Sequence, residues 1–159
     1  RRRNNASVEG KFFMRIEIAD YVEVAQERLS NARLLYEAAQ YSFALYAAGV
    51  AVESLLRAYI AREDSILEAA HNLPLLLDAS RISLYVTSDE NEQLYHSVRL
   101  LAKRWKNDLR YTSNHRLRRR LKKQKLDRGL RGDFLKENCR IAIDMAATIL
   151  QIGVKKWNP

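Results

Sequence analysis

YSFALYAAGVAVESLLRAYIAR, running from Tyr41 to Arg62, decides the fold. From Phe43 to Val52 every residue is apolar or Gly. A helix that is apolar around its whole circumference has to be buried on all sides, so the other helices must pack around this one. Five alanines and Gly49, between Ala44 and Ala58, let neighbouring helices come close, and Gly49 reads as a tight-packing position. Glu53 falls near the far end, where the pattern asks for a core residue. A buried carboxylate needs a partner. Arg57 lies four residues on, within reach along the same helix face, and Arg110, far along the chain, is the other candidate.

Upstream, Tyr21, Ala25, Leu29, Ala32, Tyr36 and Ala39 recur at spacings of three and four, which is one face of a helix. Asp20 reads as its N-cap, with Glu23 closing a capping box. Gln40 and Tyr41 make a short connection, so the first two helices form an antiparallel hairpin. Downstream, 63–70 is a helix tail or a loop. In HNLPLLLDAS (His71–Ser80), Asn72 can cap and Pro74 is tolerated in a first turn, which predicts a short helix over Leu73–Ala79. Ser80–Ser88 reads as a loop or a helical turn. Thr87 with Glu90 is a second capping box. It opens a third long helix from about Asp89 to Leu109, striped by Leu94, Val98, Leu101, Trp105 and Leu109. Tyr111–Asn114 (YTSN) is a break, and Asn114 can cap a short basic helix over His115–Lys125. Gly129 and Gly132 bracket the return. A fourth long helix runs from Asp133 to about Lys156, striped by Phe134, Asn138, Ile141, Met145, Ile149 and Ile152, with Cys139 on its flank as a buried, inert thiol. The fold class is therefore all-α: a four-to-five-helix up-and-down bundle with a basic excursion between the last two long helices.

At 159 residues the chain makes one domain with a real core, expected over 19–157. The opening RRRNNASVEG lacks an initiator Met and an apolar signal core, so 1–18 is expected to be a disordered or partly ordered lead-in. Only five Gly and two Pro are present, which favours long helices over many short strands. The single cysteine excludes an internal disulfide and a Cys cluster for zinc. His71, His96 and His115 fall on three different segments, outside any recognised ligand spacing, so no metal site is expected. Phosphate-loop, dinucleotide and nucleophile-elbow patterns are missing, and no cofactor is expected. The longest apolar run, near ten residues, is too short for a bilayer, so no membrane partner is expected and a cytoplasmic location is.

The net charge is +9, and one segment carries it. Between Lys103 and Arg131 stand thirteen Lys or Arg against Asp108 and Asp127, a local +11 that leaves the rest of the chain at −2. A basic face on a near-neutral body is the footprint of a polyanion binder. The candidate nucleic-acid-binding residues are Lys103, Arg104, Lys106, Arg116, Arg118, Arg119, Arg120, Lys122, Lys123 and Lys125. A solvated loop and a membrane-surface helix are the alternatives. The latter usually shows a bulky apolar face with aromatics, and here the segment offers Leu117, Leu121, Leu126 and Leu130. At the entrance to this segment stand Arg110 and His115. A histidine can act as general base or acid on RNA, and an arginine can stabilise the phosphorane charge, so the two are candidate catalytic residues without a metal.

Together these stretches resemble the HEPN family (higher eukaryotes and prokaryotes nucleotide-binding domain). YSFALYAAGVAVESLLRAYI is similar to that family's second helix, aromatic and Ala-rich, followed by an A-x-E-x-x-L-[KR] pattern at Ala51, Glu53, Leu56 and Arg57. HNLPLLLD (His71–Asp78) resembles its H-x-L-x-x-L-L element, and WKNDLRY (Trp105–Tyr111) an Arg-Tyr signature of one branch. The resemblance spans about 20–155 and implies an up-down bundle of four to five helices, commonly a homodimer. Active members are metal-independent ribonucleases with an Arg-x4–6-His motif, often toxins or antiviral effectors. Others bind nucleotide or nucleic acid without catalysis, or partner a nucleotidyltransferase. On that model Arg110 and His115 would be the motif pair and Glu53 a polar support. The leading expectation is a module binding RNA or nucleotide, possible in a toxin–antitoxin or defence setting with an antitoxin or nucleotidyltransferase as partner. The alternatives are an endoribonuclease using the Arg-x4-His pair and a non-catalytic dimerisation or partner-binding domain.

Overall fold

The computed structural model describes residues 17–63 and 70–157. Within them the chain is helical. The long helices are α1 (Ile18–Glu37), α2 (Tyr41–Arg62), α4 (Ser88–Arg104) and α6 (Phe134–Trp157). The short ones are α3 (Leu73–Ser80) and α5 (Asn114–Lys123), and 3-10 turns span Ile82–Leu84 and Asn107–Tyr111. No strand forms among the described residues. The disorder expected for 1–18 concerns mostly positions outside the described residues, as does the stretch 64–69 of the expected helix tail or loop. Glu17 and Ile18 already belong to the start of α1.

α2 is the core helix. It packs against α1, α3, α6 and the Asn107–Tyr111 turn, and Ala44, Leu45, Ala48, Ala51, Val52, Leu55, Leu56, Ala58 and Tyr59 are fully buried. Its length and mean hydropathy would suffice to cross a membrane, but the other helices cover most of it. Phe43 is the exception to burial on all sides: it is exposed and stacks on Tyr46. Together with Leu34 and Val50 these rings line an apolar groove between α1 and α2.

Hydrogen bonds fix the direction of each helix. Cys139 Sγ donates to Tyr41 O near one end of α2, and Tyr59 Oη donates to Gly153 O at 2.7 Å near the other, so α2 and α6 run side by side in the same sense. Arg62 caps that second end by donating to Trp157 O at 2.7 Å, its guanidinium 3.9 Å from the Trp157 ring centre. α4 runs the opposite way to α6: Glu90 at its start meets Lys156 at 3.2 Å, and Arg104 at its end meets Asn138. The bundle is up-and-down.

Several element boundaries follow the expected chemistry. Asn72 Oδ1 accepts from Leu75 N, with Pro74 in the first turn of α3. Thr87 and Glu90 form a reciprocal capping box on α4, and the backbone N–H of Thr87, ahead of the Lys156 ammonium, holds the Glu90 carboxyl below its usual range. Others are corrected. α1 begins at Ile18, and Asp20 is the third residue of its first turn, accepting from Glu17 N at 2.9 Å. On α6 the expected Asn138, Ile149 and Ile152 are buried, but Leu135, Cys139, Ala142 and Ala146 take the place of Phe134, Ile141 and Met145 on the buried face, so Cys139 is central to it. Burial pushes the Cys139 thiol up to about 12.

The largest correction concerns the third long helix. It ends at Arg104, not Leu109, and Trp105 turns to extended backbone (φ −91°, ψ 135°). The cause lies across the core. The Trp105 indole lies against Gly49 so closely that a Cβ there would fall 2.0 Å from its ring nitrogen, and Nε1 donates to Tyr46 O at 3.1 Å. Leu109 still reaches the core, but from the 3-10 turn that follows.

Candidate nucleic-acid interface

α5, NHRLRRRLKK, is held by its two leucines. Leu117 and Leu121, four apart, are fully buried, which points the opposite face of the helix to solvent. That face carries His115, Arg116, Arg119, Lys122 and Lys123, all exposed. Ser113, and not Asn114, caps the helix by accepting from Arg116 N at 3.2 Å. Asn114 reaches back to the α1–α2 connection instead. Its Oδ1 accepts from Ser42 N at 2.9 Å and its Nδ2 donates to Ala39 O at 3.0 Å. Ser42 N is one of the unpaired donors at the start of α2, where Gln40 gives no side-chain cap. One amide thereby ties the basic helix to the core helix.

The ten expected nucleic-acid-binding residues divide by what they touch. Arg116, Arg119, Arg120 and Lys123, with Thr112, line a shallow basic recess. Arg120 also makes a two-point bond to Asp108, Nη1 to Oδ1 at 3.1 Å and Nη2 to Oδ2 at 2.6 Å. This bond holds the Asp108 carboxyl below its usual range. Arg118 donates to Asp133 at 3.0 Å and lies 5.0 Å from the Phe134 ring centre, where Lys122 also approaches at 5.9 Å. Lys103, Lys106 and Lys125 are exposed on flanking elements. Arg104 is set apart from the other nine: it is buried, donating through Nε to Asn138 Oδ1 and through Nη1 to Leu100 O, both at 2.9 Å. Desolvation lowers its affinity for a proton. Asn138 in turn donates to Leu126 O and Phe134 O, each at 2.8 Å, and so pins the end of the basic excursion to α6.

Arg110 and His115 occupy different elements. Arg110 is in the last turn of the 3-10 segment, its guanidinium 4.9 Å from the Tyr111 ring centre, and His115 is in the first turn of α5. Both are exposed, and no hydrogen bond joins them among the described residues. Glu53 is buried as expected and pairs with Arg57, Nε to Oε1 at 2.8 Å, rather than with Arg110. Its second partner, His71, did not show in the spacing: Nδ1 lies 3.0 Å from both carboxylate oxygens. Arg57 also donates to Ala70 O at 2.6 Å. The cluster fastens the segment before α3 to α2. Its one sequence signal is that Glu53 and His71 each belong to a conspicuous pattern, in separate stretches of the chain.

The helix order, the buried A-x-E-x-x-L-R stretch and the basic excursion now stand together. The family model described as "HEPN domain" matches residues 18–157. The chain belongs to the HEPN domain family. No curated protein and no solved structure matches it.

Proposed function

We propose that this HEPN domain is an RNA-binding module that grips phosphates with the outward face of α5. One observation carries the reading. Arg116, Arg119 and Lys123 surround a recess on a helix whose inner face is buried, and none of the three is in a salt bridge among the described residues, although Asp108 lies near enough to attract Arg116. Two of the nearby acids, Asp108 and Asp133, are taken by Arg120 and Arg118. Cations held in place on a packed helix pair with a polyphosphate chain at less ordering cost than cations on a loose segment.

The test is RNA affinity as a function of salt. Single-stranded binding through three or four phosphate contacts gives a log–log slope of about −2 to −3. Arg116→Ala, Arg119→Ala and Lys123→Ala combined should cut affinity at least tenfold and flatten that slope. Salt-independent binding, or undiminished affinity in the triple variant, overturns the reading. Incubation with RNA in EDTA decides the endoribonuclease alternative. Cleavage lost in both Arg110→Ala and His115→Ala would replace the binding module with the enzyme.

A further inference from the structure

Tyr111 is 77% exposed, more than any other large apolar side chain among the described residues. Other tyrosines commit their hydroxyls to hydrogen bonds: Tyr59 to Gly153 O, Tyr85 to Glu63 and Tyr95 to Asp78. The Tyr111 ring is exposed, while its chain neighbours are held in the fold. Leu109, two residues before, is fully buried. Thr112, next in the chain, bonds back through its N–H to Leu109 O at 3.0 Å and through its hydroxyl to Asp108 O at 2.9 Å, and Asp108 is locked to Arg120. Thr112 also lines the basic recess, so the Tyr111 backbone borders it. The Arg110 guanidinium sits 4.9 Å from the ring centre.

We infer that Tyr111 is a base-stacking platform and that the ligand of the α5 surface is single-stranded RNA. This rests on the RNA-binding reading above and adds the strandedness of the ligand. A phosphate chain held in the recess would bring its neighbouring base to the ring. Aromatic stacking accepts any base because every base has a flat face, but it needs the base unstacked from a partner strand. In a duplex the faces are already covered and only the backbone is offered. A cation against the ring adds attraction to both base and phosphate. A rigid ring loses little freedom when a base lands on it.

Two labelled RNAs of equal length, a single strand of adenosines and a perfect duplex, are titrated by fluorescence anisotropy, with inorganic polyphosphate as a third ligand. Tyr111→Ala should lose about tenfold affinity for the single strand and keep its affinity for duplex and polyphosphate. Tyr111→Phe should bind the single strand like the parent. Equal loss on all three ligands, or no loss on any, overturns the platform. The underlying reading fails separately, when the Arg116, Arg119 and Lys123 triple variant binds all three undiminished. If the parent protein binds no RNA of either kind, both are overturned.

Discussion

At the scale of single residues, Gly49 is the position the core depends on most. Its missing side chain is where the Trp105 indole lies, so Gly49→Ala forces Trp105 out and takes the indole N–H from its acceptor, Tyr46 O. A cost of about 2–3 kcal/mol is expected, from overpacking plus one lost hydrogen bond, read as a lower midpoint in urea with an unchanged slope. Glu53→Ala leaves Arg57 and His71 without their shared carboxylate, and should cost about 2–3 kcal/mol in the same measurement. RNA affinity should stay unchanged in that variant, since Glu53 pairs with Arg57 and not with Arg110. Tyr59 makes a prediction at high pH. Burial pushes its phenol up to about 12. The folded state therefore holds this proton more tightly than the unfolded state does, and stability falls as pH rises from about 10 toward 12. Tyr59→Phe should show a shallower alkaline loss than the parent. An identical loss in both would take Tyr59 out of the account.

At the scale of elements, the 3-10 turn and α5 act as one unit through Asp108 and Arg120. Asp108→Asn removes the carboxylate that holds Arg120 and leaves the surface one charge more positive. RNA affinity should rise severalfold, with a steeper dependence on salt. Unchanged or weaker binding would mean that placing Arg120 matters more than freeing its charge. The same unit shows what could be read in the sequence. Helix existence was visible wherever the signal was local: the limits of α2, the Asn72–Pro74 start of α3, and the Thr87–Glu90 box. Apart from local cap positions, such as Glu17 ahead of α1, the hidden features depended on partners distant in the chain. α4 stops at Arg104 because of Gly49, more than fifty residues earlier. Asn114 forgoes capping its own helix because Ser42 N and Ala39 O lie within reach. Arg104 is as basic as its neighbours, and only packing against Asn138 reveals that it faces inward. Counting charges between Lys103 and Arg131 found the basic surface but not which cations compose it.

At the scale of the whole molecule, an up-and-down bundle closes around one apolar helix, and a short helix at its side carries six Lys or Arg and no acid. The fully buried side chains of the bundle are apolar apart from Ser80, Asn138, Tyr59 and the Cys139 thiol, so the ion pairs lie at the margins of the core. The weak element is α5. Its like charges at spacings of three and four repel one another, and its first turn carries no acid to match the positive end of the helix dipole. Leu117, Leu121 and Asn114 must offset this. Multivalent anions should therefore protect the protein as well as occupy it. At matched ionic strength, sulfate should raise the melting temperature more than chloride does, and the excess should shrink in the Arg116, Arg119 and Lys123 triple variant, which separates it from the general salting-out effect of sulfate. A buffer chosen to keep this protein folded would then be one that competes with its ligand, and affinities measured in phosphate and in chloride would differ for a reason already built into α5.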